Sequence, residues 1–226
     1  MRKLTKRLSL IADLIPRGVS VCDVGTDHGY LAAALVLSGK TAGVTATDIN
    51  AAPLENARRN LEKSGVSEKV KLVLCDGLSG VKREDADAVV IAGMGGDVIS
   101  GIIAKCNFIR DSEILLILQP MTAVSQLRRF LGDMGFSVIS ETAVCENGKV
   151  YSVMTARFCG VPYEVDGVRS RIGILHPDTA ENRKYIEKQY AVCMKCANEL
   201  RTAESMAEEY EKLIFTANEI KKILEE

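Results

Sequence analysis

The sequence predicts an α/β fold, in which a doubly wound parallel sheet is followed by two C-terminal helices that pair as an antiparallel coiled coil. Three patterns support this prediction. Short apolar, β-branched runs alternate with helix-forming segments between residues 19 and 134. Two extended runs then flank Asn147 and Gly148, the strongest short-range signal for a β-hairpin. Beyond residue 179, apolar residues recur with gaps of four and three, as in a heptad repeat.

The first elements are a helix and then alternating strands and helices. Gly39 and Gly65 mark the ends of two helices, because glycine readily adopts the left-handed conformation that closes a helix. Pro53 lies in the first turn of the longer one, where its missing N–H is not needed. In chain order we predict a helix with an apolar stripe ending before Pro16, a strand over Val19–Val24, a helix over Tyr30–Leu37, a strand over Thr41–Ile49 and a helix from Ala51 to Gly65.

The following segment adds three strands, a helix and the hairpin. Strands are predicted to begin at Val70, Ala88 and Ile114, and a helix spans Val124 to Met134 before Gly135. Strands that alternate with helices at this spacing form a parallel sheet. A parallel core that ends in an antiparallel hairpin is typical of the class I methyltransferase variant of the Rossmann-like sheet rather than of a plain dinucleotide-binding sheet.

The C-terminal segment carries two apolar series that are out of phase. The first is Ile186, Tyr190, Cys193, Ala197 and Leu200, and the second is Met206, Tyr210, Leu213, Ala217, Ile220 and Leu224. Because continuing the first series would place Glu204, Glu211 and Asn218 in the seam, we predict two helices with a break near 201–205. The first helix carries more basic than acidic residues and the second is mostly acidic, which favours an antiparallel pair. A single long helix is the alternative.

The composition limits the classes of protein to consider. With 226 residues and 47% hydrophobic content, the chain exceeds the ~100–150 residues of a typical domain. We therefore expect a sheet domain over residues 1–160 and a linker with the helical domain over residues 161–226. Seven cysteines without a leading apolar segment favour a reducing, cytoplasmic setting. No apolar run approaches the ~20 residues that span a bilayer, so no membrane partner is expected.

The turn after the first strand selects the cofactor. It reads Gly25-Thr-Asp-His-Gly29, and Asp27 stands where the dinucleotide signature requires a bare glycine. A carboxylate there would repel a diphosphate, which disfavours a nicotinamide oxidoreductase, but it suits a ligand with cationic groups. S-adenosylmethionine offers both a sulfonium and an ammonium group. We therefore expect Asp23, Gly25, Thr26 and Gly29 to bind this cofactor.

Acidic residues end the next two strands. Asp48 lies about 20 residues past the turn, where the ribose-binding rule expects a carboxylate, and Ile49 follows it. Asp76 and Gly77 close the third strand, where the adenine amino group of the cofactor could be held. Each aspartate alone is more often a turn former or a helix cap. Together with Asp27 after the first strand, three aspartates at corresponding strand ends favour a binding edge.

The fourth strand ends in Ile91-Ala-Gly-Met-Gly-Gly96. Three glycines would let the backbone approach a flat substrate closely, with Met94 as an adaptable apolar contact and Gly93 at the edge of the cofactor site. The alternative is a helix N-terminus that needs room to pack.

Five segments carry a resemblance to a known family: DVGTDHGYL, ATDIN, CDGL, IAGMGG and LQP, in this order and before a paired-helix tail. Together they resemble the bacterial tRNA (adenine-22-N1)-methyltransferases, the TrmK family, over nearly the whole chain. The resemblance implies a class I methyltransferase domain, S-adenosylmethionine as methyl donor, an adenine of the tRNA D-arm as acceptor, and a coiled coil that helps to hold the tRNA. The segment 161–177 matches no family motif.

Methylation at N1 of adenine uses a lone pair that is free at neutral pH, so alignment matters more than a strong base. The base must first be swung out of its stack. We expect acceptors near Gly93 to take the adenine amino hydrogens, and His28, Tyr30 and Met94 to line or stack on the base. Asp27 would orient the donor or steady the positive charge that develops on the adenine.

Other features have weaker claims. Cys193 and Cys196 form only half of a zinc site, so core packing is favoured and no metal is expected. The rival functions are methylation of a small molecule or protein, and a noncatalytic RNA-binding role. The sequence does not indicate a protein partner. The candidate basic residues for tRNA contact are Arg2, Lys3, Lys6, Arg7, Arg58, Arg59, Arg128, Arg129, Arg183 and Lys184.

Overall fold

The computed structural model describes residues 4–201 and 204–226. Within these ranges the strands are β1 (Val19–Val24), β2 (Thr41–Asp48), β3 (Val70–Leu74), β4 (Ala88–Gly95), β5 (Leu115–Thr122), β6 (Phe136–Glu146) and β7 (Lys149–Phe158). The α-helices are α1 (Lys6–Leu14), α2 (Tyr30–Leu37), α3 (Ala51–Lys63), α4 (Gly96–Lys105), α5 (Val124–Asp133), α6 (Gly167–Ile172), α7 (Ala180–Leu200) and α8 (Ala207–Glu225). Short 3₁₀ turns occupy Ser67–Lys69, Arg83–Asp85, Phe108–Arg110 and Glu204–Met206.

The strands form one sheet in the order β3-β2-β1-β4-β5-β7-β6. The first five strands are parallel, whereas β7 runs antiparallel to both β5 and β6. The predicted parallel core with a terminal antiparallel hairpin is therefore confirmed. The strand order reverses between β1 and β4, and in such sheets ligands bind in the crevice at the carboxyl ends of the strands beside that point.

The sheet is buried on both faces because adjacent strand residues point to opposite sides. In β1, Val21 packs with α1, α2 and α3, while Cys22 packs with α4 and α5. This two-sided burial explains why the central strands read as continuous apolar runs rather than as an alternation. The hairpin turn has positive φ at both Asn147 (50°) and Gly148 (76°), as the tight turn that the Asn-Gly pair predicts requires.

Two antiparallel helices form the tail, as predicted, and the single long helix is wrong. Arg183 near the start of α7 donates to the carbonyl oxygen of Leu224 near the end of α8, at 3.0 Å. Ile186 and Cys193 of the first apolar series and Ile220 of the second are fully buried. Met206 is 41% exposed, because it lies in the 3₁₀ turn before α8 rather than in the seam. Part of the predicted break, residues 202–203, lies outside the described residues.

The tail shares a hydrophobic core with the hairpin. Ala143 of β6 and Val150 of β7 belong to the same buried cluster as Ile172, Tyr185 and Ile186 of the helices. This contact involves α6, which the sequence analysis did not predict. Among the described residues, no helix combines the length and the apolar character that crossing a membrane requires.

Gly96 begins α4, so the alternative interpretation of the glycine cluster, a helix N-terminus that needs room to pack, is confirmed at this residue. A Cβ at Gly96 would lie 2.3 Å from the carbonyl oxygen of Ala123, so Gly96→Ala is expected to destabilise the fold by about 1–3 kcal/mol through overpacking. Gly101 lies in the same helix with open space at its Cβ position. Gly101→Ala is therefore a matched control, expected to stabilise by about 0.5–1 kcal/mol. Urea unfolding of both variants checks the pair, and equal effects would contradict the close contact.

Candidate methyl-transfer site

A cavity of about 310 Å³ opens at the carboxyl ends of β1 and β4. Its walls come from α1, from the turn between β1 and α2, and from the ends of β4 and β5. Larger grooves of about 710 and 570 Å³ lie beside α6 and α8, but none of the predicted cofactor residues lines them. The cavity at the topological switch point is therefore the candidate site.

The glycine turn is held by backbone contacts and by Met94. Gly25 has φ of +79°, and the amides of Gly25 and Thr26 donate to the carbonyl oxygen of Thr47 at 2.8 and 2.9 Å. A Cβ at Gly25 would lie 2.1 Å from the methyl carbon of Met94. The left-handed backbone at Gly25 favours glycine, and the turn and the β4 motif, far apart in sequence, meet directly there. Gly29, with φ of +65°, precedes the first residue of α2.

Asp23 is a buried carboxylate at the base of the cavity. It is 7% exposed, and its Oδ2 accepts a hydrogen bond of 2.8 Å from the Thr26 hydroxyl. Burial raises the pKa of Asp23 to about 6, against the opposing effect of the Thr26 hydrogen bond. A cationic ligand group in the cavity would favour the ionised form of this carboxyl.

Three of the proposed catalytic side chains lie together at the mouth of the cavity. Asp27 is 71% exposed at its side chain, and its Oδ2 lies 3.2 Å from Nε2 of His28. The rings of His28 and Tyr30 are 5.2 Å apart, centroid to centroid. The amide of Asn60 in α3 donates to the carbonyl oxygen of His28 at 3.0 Å, which fixes this part of the turn.

The predicted ribose and adenine contacts lie at the ends of β2 and β3. The amide of Cys75 donates to the carbonyl oxygen of Asp48 at 3.0 Å, which holds the two strand ends together. Oδ1 of Asp48 accepts from the amide of Asn50 at 2.8 Å, as in an ordinary turn, and Ile49 is 63% exposed. Oδ2 of Asp76 forms an exposed ion pair of 2.9 Å with Lys105. These residues lie outside the cavity described above, so their roles stay predictions.

The β4 motif uses its glycines in two different ways. Gly93, with φ of +76°, has open space at its Cβ position, and its amide donates to Oε1 of Gln119 at 3.2 Å. Gly96 instead packs against the backbone of Ala123. Close approach to a flat substrate is thus possible at Gly93, whereas the need for packing room explains Gly96. Gly77, with φ of +58°, faces the side chain of Ile102.

The sequence analysis missed the roles of Arg7 and Gln119. The sequence pattern indicates either a solvated or an RNA-facing position for Arg7, but its Nη1 donates to Oε1 of Gln119 inside the cavity wall at 2.6 Å. Gln119 is fully buried. The LQP segment contained this residue, but nothing in a single sequence indicated its partner 112 positions away.

Some of the basic candidates for tRNA contact are corrected by the structure. Arg128 is 2% exposed and forms an ion pair with Glu141 inside the protein, so its assignment as an RNA contact is wrong. Arg58 and Arg59 both lie beside Glu55, at 3.5 and 3.3 Å. Arg129 and Lys184 are exposed. Arg2 and Lys3 lie outside the described residues.

No group of three or more His, Cys, Asp or Glu side chains suited to a metal occurs in the parts of the chain that the structure describes. Cys193 is fully buried in the seam of the paired helices, and burial raises the pKa of its thiol. The core-packing interpretation of this cysteine is therefore confirmed.

Comparisons with known proteins agree with the fold. The profile of a family described as a methyltransferase domain matches residues 4–154. The tRNA (adenine(22)-N(1))-methyltransferase of Bacillus subtilis (strain 168) is 33% identical over 224 residues, 99% of this chain and 92% of the relative. The crystal structure of the B. subtilis m1A22 tRNA methyltransferase TrmK superposes with a TM-score of 0.82 at 28% identity, covering 98% of this chain and 99% of that one.

A second solved structure is that of the Streptococcus pneumoniae protein Sp1610 in complex with S-adenosyl-L-methionine. It has a TM-score of 0.77 and 29% identity, and the superposition covers 98% of this chain and 100% of that one. The similarity to these proteins includes the tail as well as the sheet. From the sheet order, the glycine turn and a likeness that extends along almost the full length of the B. subtilis enzyme, we conclude that the chain belongs to the bacterial tRNA (adenine(22)-N(1))-methyltransferase family.

Proposed function

We propose that this protein transfers a methyl group from S-adenosylmethionine to N1 of adenine 22 in the D-arm of tRNA. The observation that carries the proposal is the contact between the glycine turn and the end of β4, which brings Asp27, His28 and Gly93 to one cavity. The methyl donor and the acceptor base are inferred from membership of the family. A tRNA substrate also implies a cytoplasmic setting.

The site residues fit a cationic methyl donor. When bound, S-adenosylmethionine supplies an electrophilic methyl group on a positively charged sulfur. The carboxylates of Asp23 and Asp27 lie at the turn, where a diphosphate would be repelled and an ammonium or sulfonium attracted. We further propose that Gly25, Thr26 and Gly29 hold the amino-acid part of the donor. Asp48, Ile49, Asp76 and Gly77 would hold its adenosine at the neighbouring strand ends.

The acceptor needs alignment rather than activation. As the N1 lone pair forms its bond to the methyl carbon, the carbon–sulfur bond breaks, and the positive charge moves from sulfur to the adenine. No proton has to leave N1. We propose that His28 and Tyr30 stack on or line the base with Met94, that backbone acceptors at Gly93 take its amino hydrogens, and that Asp27 stabilises its developing charge.

The test is methyl transfer from labelled S-adenosylmethionine to unmodified tRNA with adenine at position 22, beside the same tRNA with that base replaced. We expect label in the first tRNA alone. Label in both would keep the methyltransferase but reject the target base. Label in neither, despite measurable cofactor binding, would reject the tRNA activity.

The division into a catalytic unit over residues 1–160 and a tRNA-holding helical unit over residues 161–226 is part of the proposal. Deleting residues 179–226 would not test it cleanly, because Ile186 and Ala143 share one buried cluster. Charge reversal at the exposed Lys184 and Lys188 leaves that cluster intact. If these lysines contact phosphates, reversal should weaken tRNA binding and flatten its salt dependence. An unchanged salt dependence would show that these two lysines do not contact tRNA phosphates.

Cofactor affinity is expected to depend on pH through Asp23. The pKa of the Asp23 carboxyl is about 6 in the free protein. The carboxyl therefore becomes protonated as the pH falls below 6 and loses its attraction for the ammonium of S-adenosylhomocysteine. We expect affinity to fall by up to about tenfold per pH unit below 6. Calorimetric titration between pH 5 and 8 measures this.

Two variants identify the group responsible for the pH dependence. Asp23→Asn should bind more weakly and without that dependence. His28→Gln changes another side chain of the same turn, and it should retain the dependence. Loss of the dependence in His28→Gln alone would contradict the assignment to Asp23.

A further inference from the structure

The end of β4 contains a β-bulge that a side chain completes. Ala92 pairs with Gln119 and Met94 with Pro120, so Gly93 is skipped in the ladder between β4 and β5. The amide of Gly93 donates instead to the side-chain Oε1 of Gln119 at 3.2 Å. A buried side-chain amide thus takes the place of a backbone acceptor at the point where the strand faces the cavity.

Arg7 fixes the orientation of this amide. Its Nη1 donates to Oε1 of Gln119 at 2.6 Å. Because a guanidinium can donate but never accept, the oxygen of the Gln119 amide, and not its nitrogen, must face Arg7. The amide nitrogen then donates to the carbonyl oxygen of Pro120 at 2.9 Å. All of these contacts require the same orientation, so the oxygen that receives the Gly93 amide cannot exchange places with the nitrogen.

Arg7 is itself held from the far side. Glu146 at the end of β6 accepts from the backbone amide of Arg7 at 3.1 Å and from its Nε at 2.8 Å. The guanidinium carbon lies 5.1 Å from the ring centroid of Tyr151 in β7. The Arg7 side chain is 22% exposed and that of Glu146 is 11% exposed. A chain of contacts therefore runs from the hairpin through α1 to the bulge.

We propose that Gln119 and Arg7 are positioning residues that hold the Gly93 bulge in the geometry needed to align the acceptor base. The proposal rests on the proposed function and deepens it. Gln119 acts through the Gly93 amide, and Arg7 acts through Gln119. Loss of either contact should lower the rate of methyl transfer more than the affinity for the cofactor, because a displacement of about 1 Å at the acceptor can cost roughly 100-fold in rate.

The test compares variants of the full chain on unmodified tRNA, with kcat, KM and the Kd for S-adenosylhomocysteine as readouts. Gln119→Leu removes the acceptor, Arg7→Met removes the group that orients it, and Gln119→Glu keeps an acceptor oxygen. We expect kcat to fall at least tenfold in the first two, with Kd within twofold of the wild type, and Gln119→Glu to retain more of the kcat than Gln119→Leu. Arg17→Met, which removes a charge just after α1, is the control.

The inference is overturned if kcat is unchanged in Gln119→Leu, if the loss lies in cofactor affinity, or if Gln119→Glu is as impaired as Gln119→Leu. If Gln119→Leu does not fold, Arg7→Met tests the proposal by the same criteria. The side chain of Arg7 is partly exposed, so its replacement should leave the fold intact. Hydrogen exchange at the Gly93 amide, which needs no substrate, should be faster in Gln119→Leu and in Arg7→Met. A wild type that exchanges slowly at Gly93 but methylates no tRNA would reject the proposed function instead.

Discussion

Replacing Glu141 with Gln is expected to destabilise the fold by about 3–5 kcal/mol, because it leaves a buried guanidinium without its counter-charge. The side chains of Arg128 and Glu141 are 3% and 0% exposed. Arg128 also donates to the carbonyl oxygens of Ser170 and Arg171 at 2.9 and 2.8 Å, and to the hydroxyl of Tyr185 at 3.2 Å. One charged pair therefore connects α5, β6, α6 and α7.

The arginine remains charged in this setting. Burial alone would lower the pKa of Arg128, but the charges and hydrogen bonds of Glu141 and Tyr185 more than offset burial and leave the pKa above its ordinary value. Without the Glu141 carboxylate, the guanidinium of Arg128 therefore stays charged and buried with no counter-charge.

Urea unfolding measures the effect of Glu141→Gln. A double variant, Arg128→Met with Glu141→Leu, should lose less stability than Glu141→Gln alone, because an apolar pair of similar volume avoids the buried charge. Glu208→Gln, which breaks the exposed pair with Lys212, is the control and should cause no measurable change. A loss below about 1 kcal/mol in Glu141→Gln would contradict the role of the buried pair.

Replacing Asp27 with Ala is expected to lower kcat for tRNA methylation by about 100-fold or more, the magnitude found when one preorganised electrostatic contact to a developing charge is removed. The side chain is 71% exposed and contacts His28 within the turn, so the melting temperature should not change. Removing a negative charge beside the tRNA should leave KM for tRNA equal or lower.

Steady-state kinetics with melting curves test the Asp27 prediction, and Asp13→Ala, an exposed aspartate at the end of α1, is the control. Asp27→Asn keeps the shape of the side chain and removes its charge. If Asp27→Asn were as active as the wild type, the negative charge would have no part in the mechanism. A loss confined to cofactor affinity would restrict Asp27 to donor binding.

Local patterns predicted most of the fold. The strand Val19–Val24 and the helix Tyr30–Leu37 are found with the predicted bounds. The apolar, β-branched run favours a strand, the Ala- and Leu-rich run favours a helix, and glycines flank both segments. The hairpin was predictable from Asn147 and Gly148, because this pair favours a tight turn between two strands. The start of the helix α4 was only the alternative interpretation, since its first residue continues a glycine motif that also suits a substrate contact.

The candidate site was predictable only where one segment carried the signal. The turn from Asp23 to Gly29 stands out within a few residues, whereas the roles of Arg7 and Gln119 depend on partners far away in sequence. The same limit explains the error at Arg128, because an Arg-Arg pair on a helix looks solvent-exposed until Glu141 of another element is placed beside it. Pairings between distant residues are a property of the fold and not of the local pattern.

The strand order also has a consequence for synthesis on the ribosome. β7 is the last strand to be made, yet it lies inside the sheet between β5 and β6. Until β7 emerges, β5 has an open edge and β6 has no strand to pair with in the sheet. At about 5–20 residues per second, this interval lasts about 2–7 s between Thr122 and Phe158. We therefore expect the β6–β7 hairpin to complete the sheet by pairing β7 with the open edge of β5. A nascent chain stalled before residue 158 should leave that edge open to pairing with other chains.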